Sequence, residues 1–131
     1  MPATFLIDHD ERIIRSRAWG LLIDSDLLET QQRLREDPRF EPTYCQLFDF
    51  TAVEQLSITG DGLRKLAANS PFSRDARRAI VVGSEGAYGM ARMYALLSDR
   101  NPEFFRIFRD TASAIKWLRD GPDGDDDDDD R

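Results

Sequence analysis

The sequence predicts an α/β domain built on a mostly parallel five-stranded sheet, with an antiparallel N-terminal hairpin and four helices. Three observations carry that expectation. Two strand-like segments meet at a short polar turn near the start, apolar runs then alternate with amphipathic stretches, and Ala79 to Val82 is apolar without a break. Such a run marks a strand covered on both faces, the usual state in a parallel sheet. Strand and helix alternation supplies the crossovers that join parallel neighbours.

The elements follow in order. Thr4 to Asp8 and Arg12 to Trp19 read as strands flanking Asp8-His9-Asp10-Glu11, a turn tight enough for a hairpin. Asp24 and Asp26 open a first helix, because carboxylates suit the unpaired N–H groups and positive dipole at a helix start. Leu27, Gln31 and Leu34 recur on one side until Asp37-Pro38 ends it. Cys45 to Phe50 is a compact apolar strand, Thr59-Gly60-Asp61 begins a second helix with Leu63, Leu66 and Ala67 inward, and Asn69-Ser70-Pro71 stops it. After the strand Ala79 to Val82, Ser84 or Glu85 opens a third helix running to about Leu97. Phe104 to Phe108 forms the last strand and Asp110 caps a final helix carrying Ile115, Trp117 and Leu118.

A chain of 131 residues fits one domain, expected over 1–119, and buries enough apolar surface to need no disulfide or metal. The formal net charge of −7 comes from the end: Asp120, Asp123 and Asp125 to Asp130 stand together with Gly121, Pro122 and Gly124. Like charges among Gly and Pro repel and cannot pack, so 120–131 is expected to be a disordered acidic tail that solubilises the chain or screens a basic surface. The run lacks the Gly and Glu spacing of a calcium loop, and no metal is assigned. No apolar run approaches the roughly 20 residues needed to cross a bilayer, so no integral membrane association is expected and the location is expected to be cytoplasmic. Without net basicity, nucleic acid is not an expected partner. Cys45 sits in an apolar run and reads as a buried thiol.

Catalytic chemistry finds little support, and no enzyme is expected. His9, the single histidine, lies in the hairpin turn with no nucleophile at a telling spacing. No zinc-type Cys/His set, phosphate-binding Walker loop or Gly-x-Ser-x-Gly elbow occurs. Gly83, Gly86 and Gly89 after a strand suggest a dinucleotide turn, but the spacing is wrong and no cofactor is assigned.

In open sheets with parallel strands, ligands meet the carboxyl ends of the strands. Here those ends are expected at Thr51 to Thr59, Gly83 to Tyr88 and Arg109 to Thr111. Candidate surface residues are Thr59 and Gly60 before the second helix, Ser84 and Gly86 before the third, and Tyr88, Arg92, Met93 and Leu96 along it. Met and Tyr at the margin of a wide apolar stripe form an adaptable contact surface. Arg77, Arg78 and Arg100 are expected to make a basic rim near the start of the fourth strand.

Arg12-Ile13-Ile14-Arg15, Gln46-Leu47-Phe48-Asp49-Phe50-Thr51-Ala52-Val53 and Ala76-Arg77-Arg78-Ala79-Ile80-Val81-Val82, in this element order, resemble the SpoIIAA-like family, related to STAS and Sec14-like domains. The resemblance covers about residues 1–119. It implies a regulatory binding module that engages a protein partner or a second copy, or alternatively a Sec14-like carrier or sensor holding a small apolar or anionic ligand beneath Tyr88 and Trp117. In anti-anti-sigma STAS domains a serine before the second helix accepts phosphate. Aligning the family's glycine with Gly60 or with Gly62 puts Ile58 or Gly60 at that position, so neither register supplies the hydroxyl, and Ser57 and Thr59 are the nearby alternatives for a phosphorylation switch.

Overall fold

A computed structural model describes residues 2–98 and 102–120. The predicted order of elements is the observed one: β1 (Ala3–Asp8), β2 (Ile13–Ile23), α1 (Asp24–Glu36), β3 (Cys45–Ser57), α2 (Gly60–Ala68), β4 (Arg78–Val81), α3 (Glu85–Leu97), β5 (Phe105–Phe108) and α4 (Thr111–Asp120), with a single 3₁₀ turn at Pro102–Phe104. The five strands lie in the order β1-β2-β3-β4-β5. β1 pairs antiparallel with β2, and all other pairs are parallel.

Two strands run further than the sequence suggests. β2 continues past Trp19 to Ile23 and β3 past Phe50 to Ser57, and the two extensions pair with each other. Thr51 to Ser57, expected as a strand-end loop, is therefore strand. The register slips between Arg17 and Trp19 and again between Gly20 and Leu21. Gly20 has φ of +66°, a left-handed conformation that a side chain resists, so the glycine absorbs the irregularity.

Alternating side chains sort the layers. Ala18, Leu22, Phe50, Ile80 and Val82 face α1, α2 and α3, contributed through Leu27, Leu63, Leu66, Ala87, Ala91 and Tyr94. Ile13, Leu47, Ala79 and Val81 face α4 through Ala114, Trp117 and Leu118. β4 is thus buried on both sides, as its uninterrupted apolar run requires. α4 packs on β3, β4 and β5. Beyond it the second face of β1 and β2 is open, and Leu6, Leu21 and Ile23 stand exposed there.

Helix starts follow their capping chemistry. The Thr59 hydroxyl accepts from the Gly62 amide, the Ser84 hydroxyl from Ala87, and the Asp110 carboxylate from Ser113. Asp120, assigned to the tail by composition, closes α4 and pairs with Lys116 at 3.0 Å. The rest of the expected tail and Arg100 lie outside the described residues.

Candidate functional site

The expected surface residues divide into two groups. Around the head of α2, the Thr59 hydroxyl donates to Asp24 at 2.5 Å and accepts from the Gly62 amide at 2.9 Å, and Asp24 also accepts from the Thr59 amide at 2.8 Å. A side chain at Gly62 would run into the Asp24 carboxylate, so glycine there is what lets the two helix heads meet. The hydroxyl of Thr59 is spent as a cap, and a phosphate on it would stand against a carboxylate. Ser57 ends β3 and is exposed, Gly60 is exposed, and Ile58 packs against the core.

At the carboxyl ends of β4 and β5, α3 gathers the second group. Gly83 passes so close to the Thr51 backbone that a Cβ would stand 3.3 Å from its Cα. The Tyr88 ring lies under two guanidinium groups, Arg109 at 4.8 Å and Arg92 at 6.0 Å, and its hydroxyl accepts from Arg92 at 3.4 Å. Arg109 also pairs with Glu85 at 3.5 Å. Ser84 and Gly86 flank this cluster, both exposed. Further along, Met93 and Leu96 stand on the outer side of α3, Leu96 78% exposed. The structure therefore joins Ser84, Gly86, Tyr88 and Arg92 with Arg109, and sets Thr59 and Gly60 apart at the head of α2.

The expected basic rim does not exist as such. Arg78 is 5% exposed, and Arg77 is half-buried with Nη2 donating to the Leu118 carbonyl. Arg78 begins β4 in phase with Ile80 and Val82, so it points under α3. Its Nε donates to Gln46 Oε1 at 2.8 Å; its Nη1 donates to the Tyr94 hydroxyl at 2.6 Å and to Ser70 at 3.4 Å. The Phe72 and Tyr94 rings lie at 4.8 and 5.3 Å from the guanidinium carbon. Gln46 in turn donates to Ser16 at 3.2 Å. These acceptors are all neutral. Desolvating an ion costs several kcal/mol, which charged hydrogen bonds at about 1.5–3 kcal/mol each and ring contacts at about 0.5–2 kcal/mol offset.

This network floors a cavity of about 70 Å³ between the sheet and α1, α2 and α3. It lies toward the amino ends of the parallel strands, opposite the rim the sequence points to. A pocket beneath Tyr88 and Trp117 is not formed, since Trp117 packs on the other face of the sheet. Sequence reasoning missed Gln46, Ser70 and Tyr94 and misplaced Arg78; the phase of Arg78 with Ile80 was the available signal.

Other titratable groups are dispersed. Hydrogen bonding from Arg39 holds Asp37 down at about 2, and Arg64 likewise lowers Asp61. Cys45 is half-buried, and burial pushes its thiol up, away from a reactive thiolate. His9 is exposed and bonds the Tyr44 hydroxyl at 2.8 Å. Among the described residues no group of three or more His, Cys, Asp or Glu side chains gathers as a metal site, and no helix is long and apolar enough to cross a membrane.

No family model and no curated protein matches the sequence. A solved structure does: an uncharacterized protein of the DUF3478 family with a SpoIIAA-like fold, from Shewanella loihica PV-4. It is 22% identical, covers 87% of this chain and 90% of its own, and superposes with a TM-score of 0.59. The fold of this chain, a mixed five-stranded sheet with four helices among the described residues, is SpoIIAA-like.

Proposed function

We propose that the chain is a non-enzymatic, STAS-like binding module that engages a protein partner or a second copy of itself through α3. The observation that carries this is the outer side of that helix. Gly86 and Gly89 leave the backbone open to close approach, and Met93 and Leu96 stand 49% and 78% exposed beside them. Burying such side chains gives association its drive, while Tyr88 with Arg92 and Arg109 supplies an adjacent polar rim. Against catalysis stands the scatter of the perturbed groups: Asp37 and Asp61 are lowered by arginines close in sequence on the surface, not in a shared cleft. A phosphorylation switch draws no support from Thr59, whose hydroxyl is already spent.

Native mass spectrometry of protein isolated from its own cells tests the proposal. The wild type should retain a second polypeptide that a Met93→Asp/Leu96→Asp double variant loses at unchanged melting temperature. A bare monomer for both chains would refute it.

A second reading, a sensor or carrier of a small ligand, is favoured by one specific observation: the Arg78 cavity. Its volume of about 70 Å³, well below the roughly 300–1,000 Å³ of drug-sized ligand pockets, suits a molecule of a few heavy atoms and not a two-chain lipid.

A further inference from the structure

Arg78 is an unusual choice for the first residue of a doubly buried strand. Leucine or methionine in that position would fill the space without desolvating a charge, and such replacements of buried ions are often neutral or stabilising. The chain instead surrounds the guanidinium with neutral acceptors, Gln46, Ser70 and Tyr94, between two aromatic rings. Its third nitrogen, Nη2, makes no hydrogen bond to a described residue, and no described carboxylate pairs with the group. Nor is Nη2 among the buried polar atoms sealed off without a partner, so it has an open side.

That nitrogen belongs to the one charged side chain among the described residues lining the cavity. Leu27, Leu63, Leu66 and Met90 from the helices and Phe50 from β3 give the rest of the lining an apolar character. A concave apolar site with one anchored cation and a few polar groups around it is the arrangement that orients a ligand by a single anionic end. A single guanidinium matches a single negative charge; a phosphate dianion would ask for a second cation, and the lining offers none. At about 70 Å³ the cavity exceeds the roughly 10–15 Å³ that one water needs but is under half of the roughly 150 Å³ that takes a benzene ring, so a short aliphatic body fits beside the anion and an aromatic one does not.

We propose that this cavity takes a short-chain aliphatic monocarboxylic acid, its carboxylate accepting from Arg78 and its alkyl chain lying among Leu27, Phe50, Leu63 and Met90. The inference rests on the second reading above and adds to it the ligand class and the group that selects it. Because the site lies toward the amino ends of the strands, its occupant would contact Tyr94 of α3 and not the Tyr88 cluster.

Titrations of the full chain with propionate, propanol and inorganic phosphate, followed by methyl and aromatic NMR, test it. Propionate should bind saturably, with shifts at Leu63, Met90 and Tyr94, at least tenfold more tightly than propanol, and phosphate should leave these signals unmoved. Arg78→Met should lose at least tenfold in propionate affinity while holding propanol as the wild type does. Should Arg78→Met fail to fold, Arg78→Lys replaces it: it keeps the charge but not the planar fork and should also bind propionate more weakly. Equal affinity for propionate and propanol, or propionate binding indifferent to residue 78, would overturn the inference while leaving a ligand site in place. Absence of any shift in the cavity with either organic probe would overturn both.

Discussion

Arg78 and Arg109 stand at opposite ends of the β4–β5 ladder, and both lie over aromatic rings, yet they are in different physical situations. Arg109 extends beyond β5 into solvent, 57% exposed at its side chain, pairs with the still more exposed Glu85 and covers Tyr88. Water screens that pair, so it contributes little and could be rearranged at small cost. Arg78 starts β4 in a dry layer, meets neutral acceptors only and is fixed between Phe72 and Tyr94. A charge that is cheap to keep says little about purpose, whereas one taken out of water among neutral partners, with one nitrogen left over, calls for a reason. The amino end of the sheet therefore carries the more specific chemistry, although sheets of this kind ordinarily present ligands at the other end.

The widest separation between the two ends should come from truncating an aromatic wall. Phe72 is 7% exposed, edge-on to Phe40 at 5.3 Å and beneath the Arg78 guanidinium. Phe72→Ala should cost about 3–5 kcal/mol in urea unfolding, as deletions of buried rings do. Tyr88→Ala, at a half-exposed ring, should cost about 1 kcal/mol or less. Similar losses for the two would mean that the amino end is as loosely built as the carboxyl end, and the contrast would collapse.

Removing one oxygen sharpens the same comparison. Tyr94→Phe takes from Arg78 its shortest hydrogen bond, leaving the buried Nη1 only its long bond to Ser70, and should destabilise by about 1–3 kcal/mol. Tyr88→Phe removes an exposed bond to Arg92 and should stay within about 0.5 kcal/mol of wild type. Thermal melts of the two variants side by side decide it.

Much of this architecture was legible in the residues. Capping residues, apolar periodicity and the unbroken Ala79 to Val82 run place every element in order, because each of those signals acts within a few residues. The extension of β3 through Ser57 was not, since Thr51, Ala52, Glu54 and Gln55 are exposed and look like a loop; only pairing with Trp19 to Ile23 makes them strand. Position within the sheet explains the site as well. Gln46, Ser70 and Tyr94 reach Arg78 from 32, 8 and 16 residues away. Arginine is mostly an exposed residue, so a sequence reading puts Arg78 on the surface unless its alternation with Ile80 and Val82 is given more weight. The α3 candidates fared differently: Tyr88, Arg92, Met93 and Leu96 share one helix, and helical spacing alone sets them on neighbouring faces.

The smallest effect asks whether burial, and not position along the sheet, separates the two arginines. Asp37 and Arg39 form a third charged group, just before Phe40 and so next to the dry cluster around Phe72, yet Arg39 is open to solvent. Arg39 donates to Asp37 through its backbone amide at 2.9 Å and through its guanidinium at 3.0 and 2.8 Å, which holds the carboxyl at about 2, below its usual 3.8. A carboxyl depressed in the folded state adds stability that is fully present above 3.8 and lost as pH falls through about 2. Arg39→Ala should return the Asp37 titration, followed by carboxyl NMR, toward 3.8, flatten that part of the acid limb and take away the same contribution above 3.8, a loss that solvent screening of the exposed pair keeps below that of Tyr94→Phe. If the same variant instead destabilised the chain at neutral pH as much as Tyr94→Phe does, proximity to the amino end would matter more than exposure, and burial would no longer single out Arg78.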